Sequence, residues 1–371
     1  MPTALLVGAF GQRNPGDDAL GEAFRAALPG WRTVMATGAP GGAARDGGRL
    51  AVDSGSPAAV LGALRHSDAL VVGGGTVFKT LHRGSGRRPL SLLTKAVALT
   101  AAARALGKPR AMVGVGAGVL ESSMSRRLAR TLVHQTDLLV LRDEESAEVL
   151  AAAGAPTPFR IGADAGWTLM DAPAAPDSQA AGPIVVALSF LAGGPELPAR
   201  LAAALAPLVE DGHDVRLQPW QLLDRGLDDL SLARAVNDHL PAPLEILDPP
   251  ANLAAARDSF ASASLVLGLR FHSLVAAGAA GTRFVALAHE PKLAGLARRL
   301  GQVAVSVSEP SDALTRAVRH QLRRPGPSQE AVASQIAAAE ESMDLLRVLL
   351  AAGGSDDPRA EIEGLPLRSA A

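Results

Sequence analysis

The 371-residue sequence contains no cysteine and no tyrosine, and only 3% of its residues are aromatic. Without cysteine the chain can form no disulfide and offers no thiolate as a nucleophile or metal ligand. Because 48% of the residues are nonetheless hydrophobic, alanine, valine and leucine must fill the interior. A globular chain of this length exceeds the usual size of a single core, so we expect two domains.

The sequence also lacks an excess of either charge, with 36 basic and 37 acidic residues, and it has no long basic run. A nucleic-acid partner is therefore not expected. No apolar stretch is long enough for a transmembrane helix, and the first residues do not follow the pattern of a signal peptide. The eight histidines are scattered without the spacing of metal ligands, so no metal site is predicted.

Short apolar runs that end near glycine alternate with longer segments of helical spacing, which is the pattern of a parallel sheet covered by helices. The predicted strands are 4–7, 69–72, 111–115, 138–141, 184–189, 214–218, 265–268 and 284–288. The predicted helices are 18–28, 90–106, 125–134, 144–153, 198–210, 230–239 and 276–280.

A proline-, alanine- and glycine-rich stretch beginning at Asp171 has no periodicity and predicts an interdomain linker. We therefore predict one Rossmann-like domain over residues 1–176 and a second over 182–325. A long helix over 326–352 is expected to fold back onto the first domain, and 353–371 to form a disordered tail. Two such domains suggest an α/β fold with a GT-B-like arrangement and a ligand cleft between the domains.

The first predicted strand leads into a glycine-rich loop that contains Asn14, Gly16 and Asp17 and opens a helix. Glycines allow a ligand to approach the backbone, and the free N–H groups of a helix N-terminus attract anions. The same pattern also fits a simple strand-to-helix turn that is capped by Asp17 or Asp18. Gly74, Gly75 and Gly116 follow two further predicted strands, where tight turns alone could also require glycine.

Arg142 and Asp143 stand where a predicted strand becomes a helix. Asp143 is expected to cap that helix, whereas Arg142 could either bind an anion or tie neighbouring loops together. Asp164 is a single carboxylate after the next apolar segment.

The second predicted domain carries a sharper pattern, Arg270-Phe-His272, at the end of a strand. Two residues two apart on an extended strand project to one side, and Glu290 and Lys292 follow the next strand. A guanidinium suits a phosphate or carboxylate, and an imidazole suits proton transfer near neutral pH. We therefore predict a site for a small anion here.

These motifs occur in the order Asn14-Pro-Gly16-Asp17, Gly-Gly-Gly, Gly-x-Gly-x-Gly, Arg142-Asp143-x-x-Ser, Asp164, Arg270-x-His272 and Glu290-Pro-Lys292. The order resembles that of the polysaccharide pyruvyl transferases over roughly residues 4–300. The resemblance implies a GT-B-like enzyme that moves the enolpyruvyl group of phosphoenolpyruvate onto sugar hydroxyls as a ketal. Phe271 replaces the usual leucine of the family, and His289-Glu290 replaces Tyr-Asp, which implies a different acceptor preference.

In the family the Arg-x-His pair contributes to the donor site, and the resemblance implies this role for Arg270 and His272. The more detailed roles follow from the chemistry of phosphoenolpyruvate. Arg270 and Lys292 would bind the anionic groups of phosphoenolpyruvate, with helix N-termini assisting, and His272 would protonate its methylene carbon. Asp17 is the candidate base for the sugar hydroxyl, although Asp164 or Glu290 could equally serve. Binding roles are further predicted for Asn14, Gly16, Gly74, Gly75, Gly116, Arg142, Asp164 and Glu290.

Phosphoenolpyruvate is the expected donor substrate, and no cofactor is expected. The acceptor would be a saccharide, free or lipid-linked, in exopolysaccharide or cell-wall glycan synthesis, and the enzyme would be cytoplasmic or peripheral at the inner membrane face. Two alternatives remain open from sequence. One is a GT-B glycosyltransferase that uses a nucleotide sugar, and the other is a catalytically inactive relative that acts as a binding subunit.

Overall fold

The computed structural model describes residues 1–38, 50–81, 88–156, 159–172, 182–223, 226 and 228–353. The chain divides into two compact units. The first comprises Met1–Gln12, Asp17–Thr168 and the segment from Ala337 onward, and the second comprises Arg13–Gly16 and Leu169–Ile336. The predicted linker and the predicted tail lie almost wholly outside the described residues.

The first unit contains one sheet whose strands all pair in parallel, eight of them within the described residues. They are β1 Thr3–Val7, β2 Arg32–Thr37, β3 Leu50–Asp53, β4 Ala69–Gly73, β5 Thr76–Phe78, β6 Arg110–Ala117, β7 Leu138–Leu141 and β8 Arg160–Ile161. Their order is β3-β2-β1-β4-β6-β7-β8, and β5 pairs with β6 beyond the end of β4. The central strands are buried on both faces, which explains their nearly continuous apolar sequences.

Helices connect these strands as crossovers. They are α1 Pro15–Ala27, α2 Pro57–Arg65, α3 Ser91–Ala105, α4 Ser123–Gln135 and α5 Glu144–Ala152. The residue before each of the last two helices caps it, since Ser122 accepts a hydrogen bond from the Ser125 backbone and Asp143 accepts one from that of Ser146.

The second unit contains a six-stranded parallel sheet within the described residues. Its strands are β9 Ile184–Ala187, β10 Val215–Gln218, β11 Glu245–Ile246, β12 Leu265–Gly268, β13 Phe284–Ala288 and β14 Val303–Ser306. Their order is β11-β10-β9-β12-β13-β14, which is the 3-2-1-4-5-6 order of a Rossmann fold. The predicted pair of Rossmann-like α/β sheets is thus confirmed.

The helices of the second unit are α6 Leu197–Glu210, α7 Asp229–Asn237, α8 Leu253–Phe260, α9 Phe271–Ala279, α10 Pro291–Arg299 and α11 Ser311–Gln321. A last helix, α12 Gln329–Ala351, begins in the second unit and ends in the first. In the first unit Arg347 donates a hydrogen bond from Nε to the Ala27 carbonyl (2.8 Å). Of the helices that the structure describes, none is both long enough and apolar enough to cross a bilayer.

The prediction that Arg270 and His272 share one side of an extended strand is wrong. Strand β12 ends at Gly268, Arg270 is the last extended residue before α9, and His272 is already helical. The predicted helix over 276–280 therefore begins earlier, at Phe271, because the whole apolar segment is buried against its neighbours. The alternation of strand side chains does not apply across this turn.

Candidate functional site

The order of each sheet reverses at its first strand, and this fixes where a ligand site is expected. The reversal lies between β1 and β4 in the first unit and between β9 and β12 in the second. Open parallel sheets bind ligands outside the carboxyl ends of the strands at such a reversal. Residues 8–16 and 74–75 follow the first pair of strands, and residues 188–190 and 269–272 follow the second.

Arg270 is buried at the reversal point of the second unit, with 9% of its surface exposed. Its Nε donates to the Leu188 carbonyl (3.2 Å) and to Asp229 Oδ2 (3.0 Å). Its Nη2 donates to both carboxylate oxygens of Asp229 (2.8 Å each) and to Gln221 Oε1 (3.2 Å). Nη1 makes no hydrogen bond with any residue that the structure describes, so this nitrogen keeps its donors for another partner.

His272 lies in the first turn of α9, also in the second unit, and 6% of its surface is exposed. The segment Arg13–Gly16 belongs to the same unit and packs on this imidazole. A Cβ built on Gly16 would lie 2.3 Å from His272 Cγ and Nδ1, closer than any real Cβ approaches another atom. The Gly16 amide donates to the side-chain oxygen of buried Asn14 (3.2 Å), which holds the turn in place. The structure therefore brings three predicted site residues together.

His289 follows β13 and lies near Arg270, Glu290 and Lys292. The pKa of His289 is lowered to about 4, chiefly by burial; Lys292 and Arg270 add to the shift, and Glu290 and the hydrogen bond with the Leu287 backbone oppose it. The imidazole is therefore neutral at neutral pH. Lys292, in the first turn of α10, forms an ion pair with Glu290.

The first unit contains a second buried arginine, Arg142, at the carboxyl end of β7. Its Nε donates to Asp143 Oδ2 (2.9 Å) and its Nη2 to Thr76 Oγ1 (3.1 Å), and Nη1 lies 3.9 Å from Asp164 Oδ2. Asp164 also accepts from the Gly166 amide (2.9 Å) and is 1% exposed. Of the two roles predicted for Arg142, these contacts support the one that ties loops together.

Asp143 completes this network and confirms the predicted helix cap. Its Oδ1 accepts from the Ser146 amide (2.8 Å), and the Ser146 hydroxyl donates to the same oxygen. Burial disfavours the charged carboxylate, yet the Arg142 guanidinium and the hydrogen bonds from Ser146 and Arg142 hold the pKa of Asp143 below its ordinary value.

The predicted glycines of the first unit have structural reasons to be glycine. Gly74 and Gly75 adopt positive φ angles of 66° and 70°, which other residues rarely adopt. A Cβ on Gly116 would lie 2.4 Å from Arg142 Nη2, so this glycine makes room for the guanidinium. These contacts account for the three glycines without a ligand.

The prediction that Asp17 or Asp18 caps α1 is wrong, because the helix begins at Pro15 and both aspartates lie in its first turn. Asp18 instead accepts a hydrogen bond from the Gly11 amide (2.6 Å) and closes the preceding loop. Burial raises the pKa of Asp18 and the Gly11 hydrogen bond opposes that rise. Asp17 directly follows Gly16 in the chain.

Three residues of the second unit's cluster were not among the predicted site residues, namely Gln221, Asp229 and His289. Asp229 is fully buried and contacts Arg270, which lies 41 positions away in sequence. His289 directly precedes Glu290 and is close in sequence to Lys292, and this position could have identified it as a site residue. Among the described residues, no group of three or more histidine, aspartate or glutamate side chains could hold a metal ion.

A family model described as polysaccharide pyruvyl transferase matches residues 14–291 of the chain. The matched range includes every predicted site residue except Lys292. None of the curated proteins compared with this sequence matches it.

Several solved structures are similar to both units together. The UDP-GlcNAc 2-epimerase of Methanocaldococcus jannaschii is 14% identical with a TM-score of 0.60, covering 94% of this chain and 99% of the epimerase. The MnaA protein of S. aureus, solved with UDP, is 10% identical with a TM-score of 0.61, covering 95% of this chain and 96% of that protein. The HepE protein of Anabaena, solved with UDP and glucose, is 13% identical with a TM-score of 0.58, covering 93% and 95% of the two chains. At these identities the similarity shows the fold alone, and it confirms the predicted GT-B-like class.

Proposed function

The chain belongs to the polysaccharide pyruvyl transferase family, and we propose that it transfers the enolpyruvyl group of phosphoenolpyruvate to two hydroxyls of a sugar. The product is a pyruvate ketal, and inorganic phosphate is released. The observation that carries the proposal is the cluster at the reversal point of the second sheet, where Arg270, His272 and the Asn14–Gly16 turn are held in one unit.

The donor requires fixed positive charge, because phosphoenolpyruvate carries a phosphate and a carboxylate. Arg270 supplies Nη1, which makes no hydrogen bond with the described residues, and its other nitrogens are held rigidly. Lys292 follows the adjacent strand and adds a second cation, which Glu290 orients. Preorganised cations of this kind bind an anion without having to reorganise first.

The chemistry requires one proton to reach the methylene carbon of the donor. In the proposed mechanism His272 donates this proton, and positive charge develops at the adjacent carbon, where a sugar hydroxyl attacks. Phosphate then leaves, and the second hydroxyl closes the ketal, so that two hydroxyl protons are released while one is consumed at carbon. Histidine suits this transfer because its ordinary pKa lies near neutrality.

A base must accept the proton of the attacking hydroxyl, and the sequence left three candidates. Asp164 is buried against Arg142 and the Gly166 amide, which disfavours it. Glu290 is engaged with Lys292. We assign the role to Asp17, because it directly follows the turn that packs on His272.

The proposed reaction needs no cofactor, because the enol phosphate is itself the activated group. The proposed acceptor is a saccharide, free or lipid-linked, of a cell-surface or extracellular glycan, and the proposed location is the cytoplasm or the inner face of the membrane. The HepE and MnaA structures contain UDP, which corresponds to the nucleotide-sugar alternative. A thermal-shift comparison separates the two, since we expect phosphoenolpyruvate, and not UDP, to raise the melting temperature.

The decisive experiment measures phosphate release from phosphoenolpyruvate with a panel of glycans, together with the mass gain of the acceptor. In the variant His272→Gln the rate should fall about 10²- to 10⁴-fold, which is the usual contribution of a general acid. His239→Gln is the matched control, because His239 is an exposed histidine of the same unit. Equal rates in wild type and His272→Gln would contradict the assigned acid, and stabilisation by UDP alone would contradict the proposed donor.

A further inference from the structure

Asp229 is fully buried at the start of α7 and joins three separate strand ends of the second sheet. Its Oδ1 accepts from the Phe190 amide (2.8 Å), which follows β9. Its Oδ2 accepts from the Trp220 and Gln221 amides (3.0 and 2.8 Å), which follow β10. The Arg270 guanidinium, after β12, donates to both oxygens. One carboxylate thus connects the loops that follow three neighbouring strands.

The geometry around Arg270 is asymmetric because of these bonds. Asp229, Gln221 and the Leu188 carbonyl occupy Nε and Nη2, and the planar fork of a guanidinium then fixes the direction of Nη1. A buried carboxylate with three backbone donors is already well solvated by the protein, so the arginine is not required to satisfy it. The ion pair between Asp229 and Arg270 is explained if the arginine must be held in one orientation.

We propose that Asp229 is a positioning residue for the donor, since it clamps Nε and Nη2 of Arg270 and thereby directs Nη1 toward an anionic group of phosphoenolpyruvate. The identity of the anion rests on the proposed function. The clamp itself is a property of the second unit, and it can be tested with or without turnover.

The kinetic test uses Asp229→Asn. An asparagine whose oxygen replaces Oδ2 still accepts from the Trp220 and Gln221 amides. Its NH₂ group, at the position of Oδ1, then faces the Phe190 amide and Nη2 of Arg270, so the clamp loses a hydrogen bond and its negative charge. We expect the KM for phosphoenolpyruvate to rise roughly tenfold or more, as for a lost hydrogen bond to a charged group. The KM for the acceptor should stay within about twofold and kcat within about threefold. Asp312→Asn, which removes an exposed ion pair with Arg316, is the matched control and should change neither KM.

A milder variant keeps the test informative if Asp229→Asn does not fold. Gln221→Met keeps the carboxylate clamp and removes the hydrogen bond of 3.2 Å to Nη2, so it should raise the KM for phosphoenolpyruvate about two- to threefold. The double variant Asp229→Asn/Arg270→Lys should have no higher KM for phosphoenolpyruvate than Arg270→Lys alone, because Asp229 acts through that arginine. Additive losses, or equal increases in both KM values, would overturn the proposal.

Hydrogen exchange of the Arg270 Nε–H, followed by ¹⁵N NMR and assigned by its absence in Arg270→Lys, tests the clamp without substrate. Exchange should be slow in the wild type and at least tenfold faster in Asp229→Asn. Unchanged exchange would overturn the positioning role even if the enzyme is active. Faster exchange in a protein that releases no phosphate from phosphoenolpyruvate would instead support the clamp and reject the proposed function.

Discussion

Arg142 and Arg270 occupy similar places in their two units. Each lies between the carboxyl end of a buried parallel strand and the start of the next helix, and each forms an ion pair with a buried aspartate. The difference lies in the nitrogen atoms. Arg142 directs Nε, Nη2 and Nη1 at Asp143, Thr76 and Asp164, whereas Arg270 leaves Nη1 without a partner among the described residues.

The residues that follow the two arginines differ as well. Two residues after Arg270 stands His272, with the Gly16 backbone packed on it, whereas two residues after Arg142 stands Glu144, which begins α5. A buried arginine with aspartate partners therefore does not by itself indicate a ligand site. A ligand requires a donor that the protein has not already used. By this criterion the centre around Arg270 fits the proposed binding site, and the contacts of the centre around Arg142 fit a structural tie.

The largest expected contrast comes from making the same substitution in both centres. Arg270→Lys loses the planar fork and its charged hydrogen bonds, so kcat/KM for phosphoenolpyruvate should fall roughly a hundredfold, or about 2–3 kcal/mol. Arg142→Lys should instead lower the free energy of unfolding by about 1–3 kcal/mol while kcat/KM of the folded enzyme changes less than about threefold. Phosphate release and urea unfolding measure the two effects. A hundredfold loss of activity in folded Arg142→Lys would remove the distinction between the centres.

The sequence predicted the interior of each sheet better than its edges. The β4, β7 and β12 strands are continuous apolar runs because both faces are covered. The β2 and β3 strands, at one side of the first sheet, contain polar and partly exposed residues and were not predicted. Asp229 could not be recognised either, because its partners Phe190 and Arg270 lie 39 and 41 positions away and only the folded sheet brings them together.

The two centres should also lose stability in different pH ranges. The pKa of His289 is about 4 in the folded chain and 6.5 in the unfolded chain. Its contribution to the free energy of unfolding is therefore fully present above pH 6.5 and is lost as the pH falls toward 4. The pKa of Asp143 is lowered from 3.8 in the folded chain, so the contribution of Asp143 to the free energy of unfolding is lost only as the pH falls below that value. Between pH 7 and 5 the free energy of unfolding should fall by about 2 kcal/mol in the wild type from this source. His289→Gln should lose that part of the pH dependence in urea titrations, and Asp143→Asn should retain it. An unchanged slope in His289→Gln would show that the imidazole is not buried as a neutral group.

The smallest contrast concerns two glycines that each make room for a side chain. An alanine at Gly116 would press on Nη2 of Arg142, at the far end of a long side chain that can move away and lose its bond to Thr76. Gly116→Ala should therefore cost about 1 kcal/mol of stability and leave kcat nearly unchanged.

An alanine at Gly16 would press on Cβ and Cγ of His272, which cannot move without turning the imidazole. Gly16→Ala should lower kcat about tenfold, because a small misplacement of a proton donor is costly. Phosphate release and thermal unfolding of both variants give the comparison, and a larger loss of kcat in Gly116→Ala than in Gly16→Ala would reverse the roles assigned to the two centres.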